Sequence, residues 1–133
     1  MMETVYKSAW YFTRLEGRVY PFRIGTSAID LNAALRERGV TAWCFLTSDN
    51  PQSLLCERSV NRAKQKLLEA KLQNQHLYYW PAWAEDPKRN WPRENGFLIE
   101  NLILEDAIDL GRAFDQKAVV YCSELKDVEL VWC

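Results

Sequence analysis

The chain reads as an α+β protein, a mixed and largely antiparallel sheet with about three helices packed on it. Three observations predict this. Short runs rich in aromatic and β-branched residues recur between turn signals, as strands do. Two longer segments carry apolar residues at helical spacing between a capping residue and a glycine or polar stop. One stretch, 41–47 (TAWCFLT), is almost continuously apolar, the pattern of a central strand buried on both faces. At 133 residues, with 48% hydrophobic and 26% charged residues, the chain has the size and composition of a single globular domain spanning 1–133.

The elements follow in order. Residues 9–14 and 19–24 form two strands around a Glu16-Gly17 hairpin turn. Pro21 cannot donate to a ladder, so it marks an edge strand. Ser27 is a candidate N-cap, with Asp30 in a capping-box position, for a helix running to about Arg38. Gly39 suits its left-handed stop. Ile29, Leu31 and Leu35 supply the apolar side. The strand 41–47 comes next, and Asn50-Pro51 then starts a turn. A second helix covers about 57–73. Its apolar stripe is Val60, Ala63, Leu67 and Ala70, widened by Leu68 and Leu72, and its basic stripe is Arg58, Arg62 and Lys66. Residues 76–82 form a strand, opened by His76. Residues 84–95 form the longest loop, and 96–101 another strand. A helix over 104–114 turns Leu104, Ile108, Gly111 and Phe114 inward. A glycine there costs helix stability, so close packing is expected at Gly111. Strands 117–123 and 128–132 end the chain. Of the tryptophans, Trp43 and Trp132 fall in strands and suit the core. Trp80, Trp83 and Trp91 flank the long loop, where they suit either loop packing or a stacking platform.

Charge and cysteine narrow the function classes. The formal net charge of -1 argues against a protein that coats DNA. Residues 1–75 carry 11 Lys/Arg against 7 Asp/Glu, and residues 76–133 carry 6 against 11. One face is therefore expected to be basic. The cysteines at 44, 56, 122 and 133 have no metal-ligand spacing, so no metal and no cofactor is expected. No apolar run is long enough to span a bilayer, and the N-terminal residues lack signal-peptide features. A cytoplasmic protein without a membrane partner is the expectation.

Four segments carry a resemblance. They are Thr47-Ser48-Asp49-Asn50-Pro51-Gln52-Ser53 with Asn61 downstream, Trp91-Pro92-Arg93-Glu94, Phe97-Leu98-Ile99, and Leu110 to Val120. Together these resemble the small bacterial family known as domain of unknown function 3293. The likeness extends over about 9–132. Three positions depart from that family's pattern: Asp49 stands where tryptophan is usual, Gly96 where serine is usual, and Asp115 where glycine is usual. The resemblance implies a fold-level grouping and no function.

The polar residues that these segments share with the family's pattern are Asn50, Asn61, Glu94 and Gln116. If the strands after Glu94 and Gln116 run antiparallel to strand 41–47, Asn50, Glu94 and Gln116 share one sheet edge, and Asn61 sits on the helix leaving it. Carboxamides read the edges of amides, sugars and nucleobases. A lone Glu beside apolar Trp91 can have a raised pKa and serve as general base. The expectation is a pocket for a small polar or nucleotide-like ligand. Glu94 is its candidate catalytic residue, and Asn50, Asn61, Gln116, Arg62 and Trp91 are its binding residues. Whether it catalyses anything stays open. The same residues also suit purely structural work, as an Asx turn, a helix tie and loop anchors. The alternative function is a non-catalytic module that contacts a protein or nucleic acid through the Trp-rich loop (80–95) or the basic helix (57–73). Homo-oligomerisation is compatible with either reading.

Overall fold

The computed structural model describes residues 3–133. Seven strands form one sheet in the order β2-β1-β4-β5-β3-β6-β7, with every neighbour antiparallel. They are β1 (Trp10–Leu15), β2 (Arg18–Phe22), β3 (Trp43–Thr47), β4 (Tyr79–Glu85), β5 (Glu94–Glu100), β6 (Ala118–Cys122) and β7 (Val128–Trp132). The α+β class stands. The sheet, expected to be mixed, is antiparallel throughout and curls into a half-barrel. Four α-helices accompany it among the described residues: α1 (Glu3–Ser8), α2 (Ile29–Glu37), α3 (Arg58–Asn74) and α4 (Leu104–Ala113). None is long and apolar enough to cross a membrane. Helix α1 had no sequence signal, since six residues are too few to show a helical period.

β2 is an edge strand, as Pro21 predicts. β3 is buried along its whole length between β5 and β6. The pleat sends alternate residues to opposite faces, and each face has its own core. On one face Trp43, Phe45, Leu98 and Val120 meet Tyr11, Phe22 and Leu31 and Leu35 of α2. On the other, Cys44, Leu46, Phe97, Ile99 and Val119 meet Leu68 and Leu72 of α3 and Ala107 and Leu110 of α4. The second core reaches β4 only at Tyr79 and stops there. The outward residues of β1 and β2 belong to neither core.

Several expected faces are corrected. α3 buries Leu68 and Leu72, while Val60 and Leu67 are 41% and 64% exposed. The inner stripe is Asn61, Gln65, Leu68 and Leu72, because the sheet selects the face that also delivers Asn61 to the turn after β3. Ile29 is exposed, and α2 begins after Ala28 with no side-chain cap from Ser27, which instead bridges to Asp127. α4 buries Ala107, Leu110 and Gly111, whereas Leu104 is exposed. Trp132 lies on the terminal strand β7 and is 48% exposed rather than core. His76 does not open a strand but sits with positive φ in the turn after α3. The long loop narrows to 86–93, because β4 runs on to Glu85 and β5 starts at Glu94.

Candidate functional site

The turn leaving β3 organises this end of the sheet. Asn50 has φ 48°, in the left-handed region that asparagine tolerates better than most residues. Gln52 and Ser53 also have positive φ, and the 3-10 turn Pro51–Ser53 is tied down by Gln52 N–H donating to the Asp115 carbonyl at 2.6 Å. The side chain of Asn50 uses both its ends. Its Oδ1 accepts from Asn61 Nδ2 at 2.9 Å and from the Cys56 N–H at 3.0 Å. Its Nδ2 donates to Glu94 Oε2 at 3.0 Å. Asn61 Oδ1 in turn accepts from the Asn50 N–H at 2.9 Å. The two asparagines therefore close a reciprocal pair that clips α3 to the turn.

Glu94 is 4% exposed. Trp91 Nε1 donates to the same Oε2 at 2.8 Å. Burial raises the Glu94 pKa above the usual carboxylate value. The Asn50 and Trp91 hydrogen bonds pull it back, and nearby Asp49 pushes it up again. Gln116 reaches the same turn from the start of β6. Its Nε2 donates to the Asp49 carbonyl at 3.1 Å and to the Phe114 carbonyl at 3.3 Å. All four polar residues singled out from the sequence, with Trp91, thus converge on one sheet edge. The antiparallel pairing of β3 with both β5 and β6 is what brings them there.

They do not all face one cavity. On the α3 face lies an open cleft of about 490 Å³, lined by Asp49, Asn50, Asn61, Arg58, Arg62 and Gln65, with Arg93 and Asn95 across from them. Glu94 and Gln116 line a separate small void on the opposite face, with Tyr6, Tyr11 and Thr47. The pleat decides this. Asn95 and Phe97 point to the α3 face, and Glu94 shares the parity of Leu98 on the other. Trp91 sits between Glu94 and a further groove under the 86–93 loop. Of the residues predicted from the sequence, Asn50, Asn61 and Arg62 line the cleft.

Asp49 was not singled out from the sequence as a site residue, yet it forms the cleft wall and is 5% exposed. Its Oδ2 accepts from the Asn95 N–H at 2.9 Å, and its Oδ1 has no hydrogen-bond partner among the described residues. Burial raises its pKa, while the Asn95 hydrogen bond opposes that. Its one sequence signal was a carboxylate standing where the resembled family carries tryptophan. Arg58 and Arg62, four residues apart on α3, form no ion pair with a carboxylate among the described residues, although both line this cleft. Arg93 lies 4.0 Å from Glu85.

The family comparison belongs to this same stretch of chain. A family model described as Protein of unknown function (DUF3293) matches residues 46–119, more than half the length, and the chain belongs to that family. The matched span runs from the last turn of β3 into β6 and so contains the whole constellation. Neither a curated protein nor a solved structure gave a match.

Proposed function

We propose that the cleft between the N-terminal part of α3 and the start of β5 binds a small, anionic, polar ligand of nucleotide-like size. The observation that carries this reading is the pair Arg58 and Arg62, facing Arg93 across about 490 Å³ of open space with no carboxylate partner of their own among the described residues. Guanidinium groups so placed suit a phosphate or carboxylate. Asn61, Gln65 and Asn95 offer donors and acceptors for a neutral polar edge. Asp49 stands in the wall with its Oδ1 buried and without a hydrogen-bond partner among the described residues.

In this reading Glu94 positions rather than reacts. Its carboxylate holds Asn50 Nδ2 on the far face, and Asn50 holds Asn61 and the Cys56 N–H at the cleft rim. The cleft is lined by the Asp49 carboxylate and the Cys56 thiol, and this reading assigns both to the binding wall. Native mass spectrometry of gently purified protein, with a thermal-shift panel of nucleoside phosphates and small carboxylates, tests the reading. The expected result is an adduct, or a ligand that raises the melting temperature, lost in Arg58→Ala/Arg62→Ala at similar intrinsic stability. A clean mass together with no shift from any phosphate or carboxylate would sink it.

A further inference from the structure

The α3 face of the sheet is covered only in part. Beyond Tyr79, toward the β2 edge, no helix lies on it. The pairing of Phe12 with both Pro21 and Trp83 sets the outward row there, and the pairing of Trp10 with Glu85 sets the next. Phe12 and Trp83 stack with centroids 5.6 Å apart and planes 19° from parallel. Trp10 is 39% exposed. Arginine guanidinium carbons lie over these rings: those of Arg14 and Arg93 at 5.6 Å and 4.6 Å from the Trp83 ring centroid, and that of Arg23 at 4.7 Å from the Trp10 ring centroid. Neither Arg14 nor Arg23 pairs with a carboxylate among the described residues. Beside the rings, a groove of about 460 Å³ runs between Trp10, Phe12 and the loop residues Arg89 and Trp91.

We infer that this open half of the sheet is a stacking surface for single-stranded nucleic acid. The chemistry selects that occupant. Trp10, 39% exposed on the open face of the curled sheet, offers its ring to unpaired bases, which duplexes keep hidden, with Phe12 and Trp83 partly exposed beside it. The guanidinium groups between the rings have the charge and planarity to pair with backbone phosphates and to stack on bases. A protein partner of matching shape would meet three closely spaced arginines at the centre of its contact, where charge is usually depleted. The cross-strand placement also explains the tryptophans. Trp80 points to the other face and donates to Glu100, while Trp91 donates to Glu94 and lines only the groove beside the rings. Trp83 does, with Trp10 and Phe12 arriving from a strand some 70 residues earlier. Arg93 is shared with the small-ligand cleft; the other residues of the inference lie outside it, and variants at Trp10, Arg14 and Arg23 test it apart from that reading. The two sites abut through Arg93 and Asn95, whose side chains hydrogen-bond at 3.2 Å.

The test is fluorescence anisotropy of labelled oligothymidylate and oligouridylate against the full chain, at low and at high salt, with a duplex of equal length beside them. The expected result is binding of a single strand that falls steeply with salt and exceeds that of the duplex. Trp10→Ala/Arg14→Ala/Arg23→Ala should weaken it at least tenfold, since stacking on one ring and two phosphate contacts are lost. Arg18→Ala lies on the opposite face of β2, over Tyr20, and should leave it unchanged. Circular dichroism melts of both variants confirm folding. If the triple variant unfolds, the milder Arg14→Gln/Arg23→Gln pair replaces it, with the same expected direction. Absence of single-strand binding at low salt overturns the inference. So does binding that these variants leave intact, or a wild-type dimer in sedimentation that they abolish, which would make this face a contact between copies.

Discussion

Asn50 is the residue on which the end of the sheet turns. Its carboxamide joins three separate pieces of chain: Glu94 on β5, Asn61 on α3 and the Cys56 N–H ahead of that helix. Replacing it by alanine leaves a buried carboxylate with one donor fewer and removes one of the two side chains of the clip. Asn50→Ala should therefore cost about 2–4 kcal/mol, the upper range for a broken buried network. A urea midpoint within error of wild type would show that the clip contributes nothing. Glu94 and Asp49 together make a pH prediction. Burial raises both pKa values, so the native state holds these protons more tightly than the unfolded chain does. For Glu94 that stability is fully present below the ordinary value of 4.5 and is lost as pH rises through the raised native value. Glu94→Gln keeps an acceptor for Asn50 and Trp91 and has no proton to lose. The stability of wild type relative to this variant should fall as pH rises above 4.5, by at most about 1.4 kcal/mol per pH unit. Parallel melting curves across that range would count against the raised value.

At the scale of elements, two glycines explain how closely the layers approach. A Cβ on Gly96 would collide with the backbone carbonyl of Leu46 on the neighbouring strand. A Cβ on Gly111 would meet Cys133 Sγ at 2.6 Å and Val119 Cγ1 at 3.0 Å, so α4 lies against β6 only because that position is bare. Gly111 was legible in the sequence as a glycine spoiling a good helix, whose reason had to be packing. Gly96 was legible only as a departure from the resembled family, and its reason is a strand the sequence does not place beside it. Gly96→Ser should destabilise by 3 kcal/mol or more, roughly the cost of forcing a backbone apart in a packed sheet. Gly111→Ala should destabilise despite alanine's better helix propensity, and Cys133→Ala should recover part of the loss. A more stable Gly111→Ala would show that the end of the chain yields freely. The exposed stripe of α3 makes the opposite prediction. Leu67→Lys, on the face read from the sequence as core, should change stability by no more than about 0.5 kcal/mol.

Across the whole molecule, five arginines gather on one side. Arg14 and Arg23 from the first hairpin and Arg58 and Arg62 from α3 stand on the same sheet face, with Arg93 between them. Exchanging Arg58 and Arg62 for alanine should therefore remove the cleft ligand, while exchanging Arg14 and Arg23 should remove the single strand. Separate losses in the two assays would show two sites, and a joint loss would merge them. The sequence by itself determined the α+β class and, apart from α1, the element order, because periodicity, caps and turns act over a few residues. It also picked out Asn50, Asn61, Glu94 and Gln116, because they are the polar residues shared with the resembled family and each lies within three residues of the end of a strand or helix. The tertiary structure alone decided which face of the pleat each one uses. Whether a side chain points to one face or the other depends on register, and a shift of a single residue reverses it. That is why Glu94 lies behind the cleft and Asp49 in its wall. It is also why Val60 and Leu67 face outward, and why Trp10, Phe12 and Trp83, far apart in the chain, form one surface.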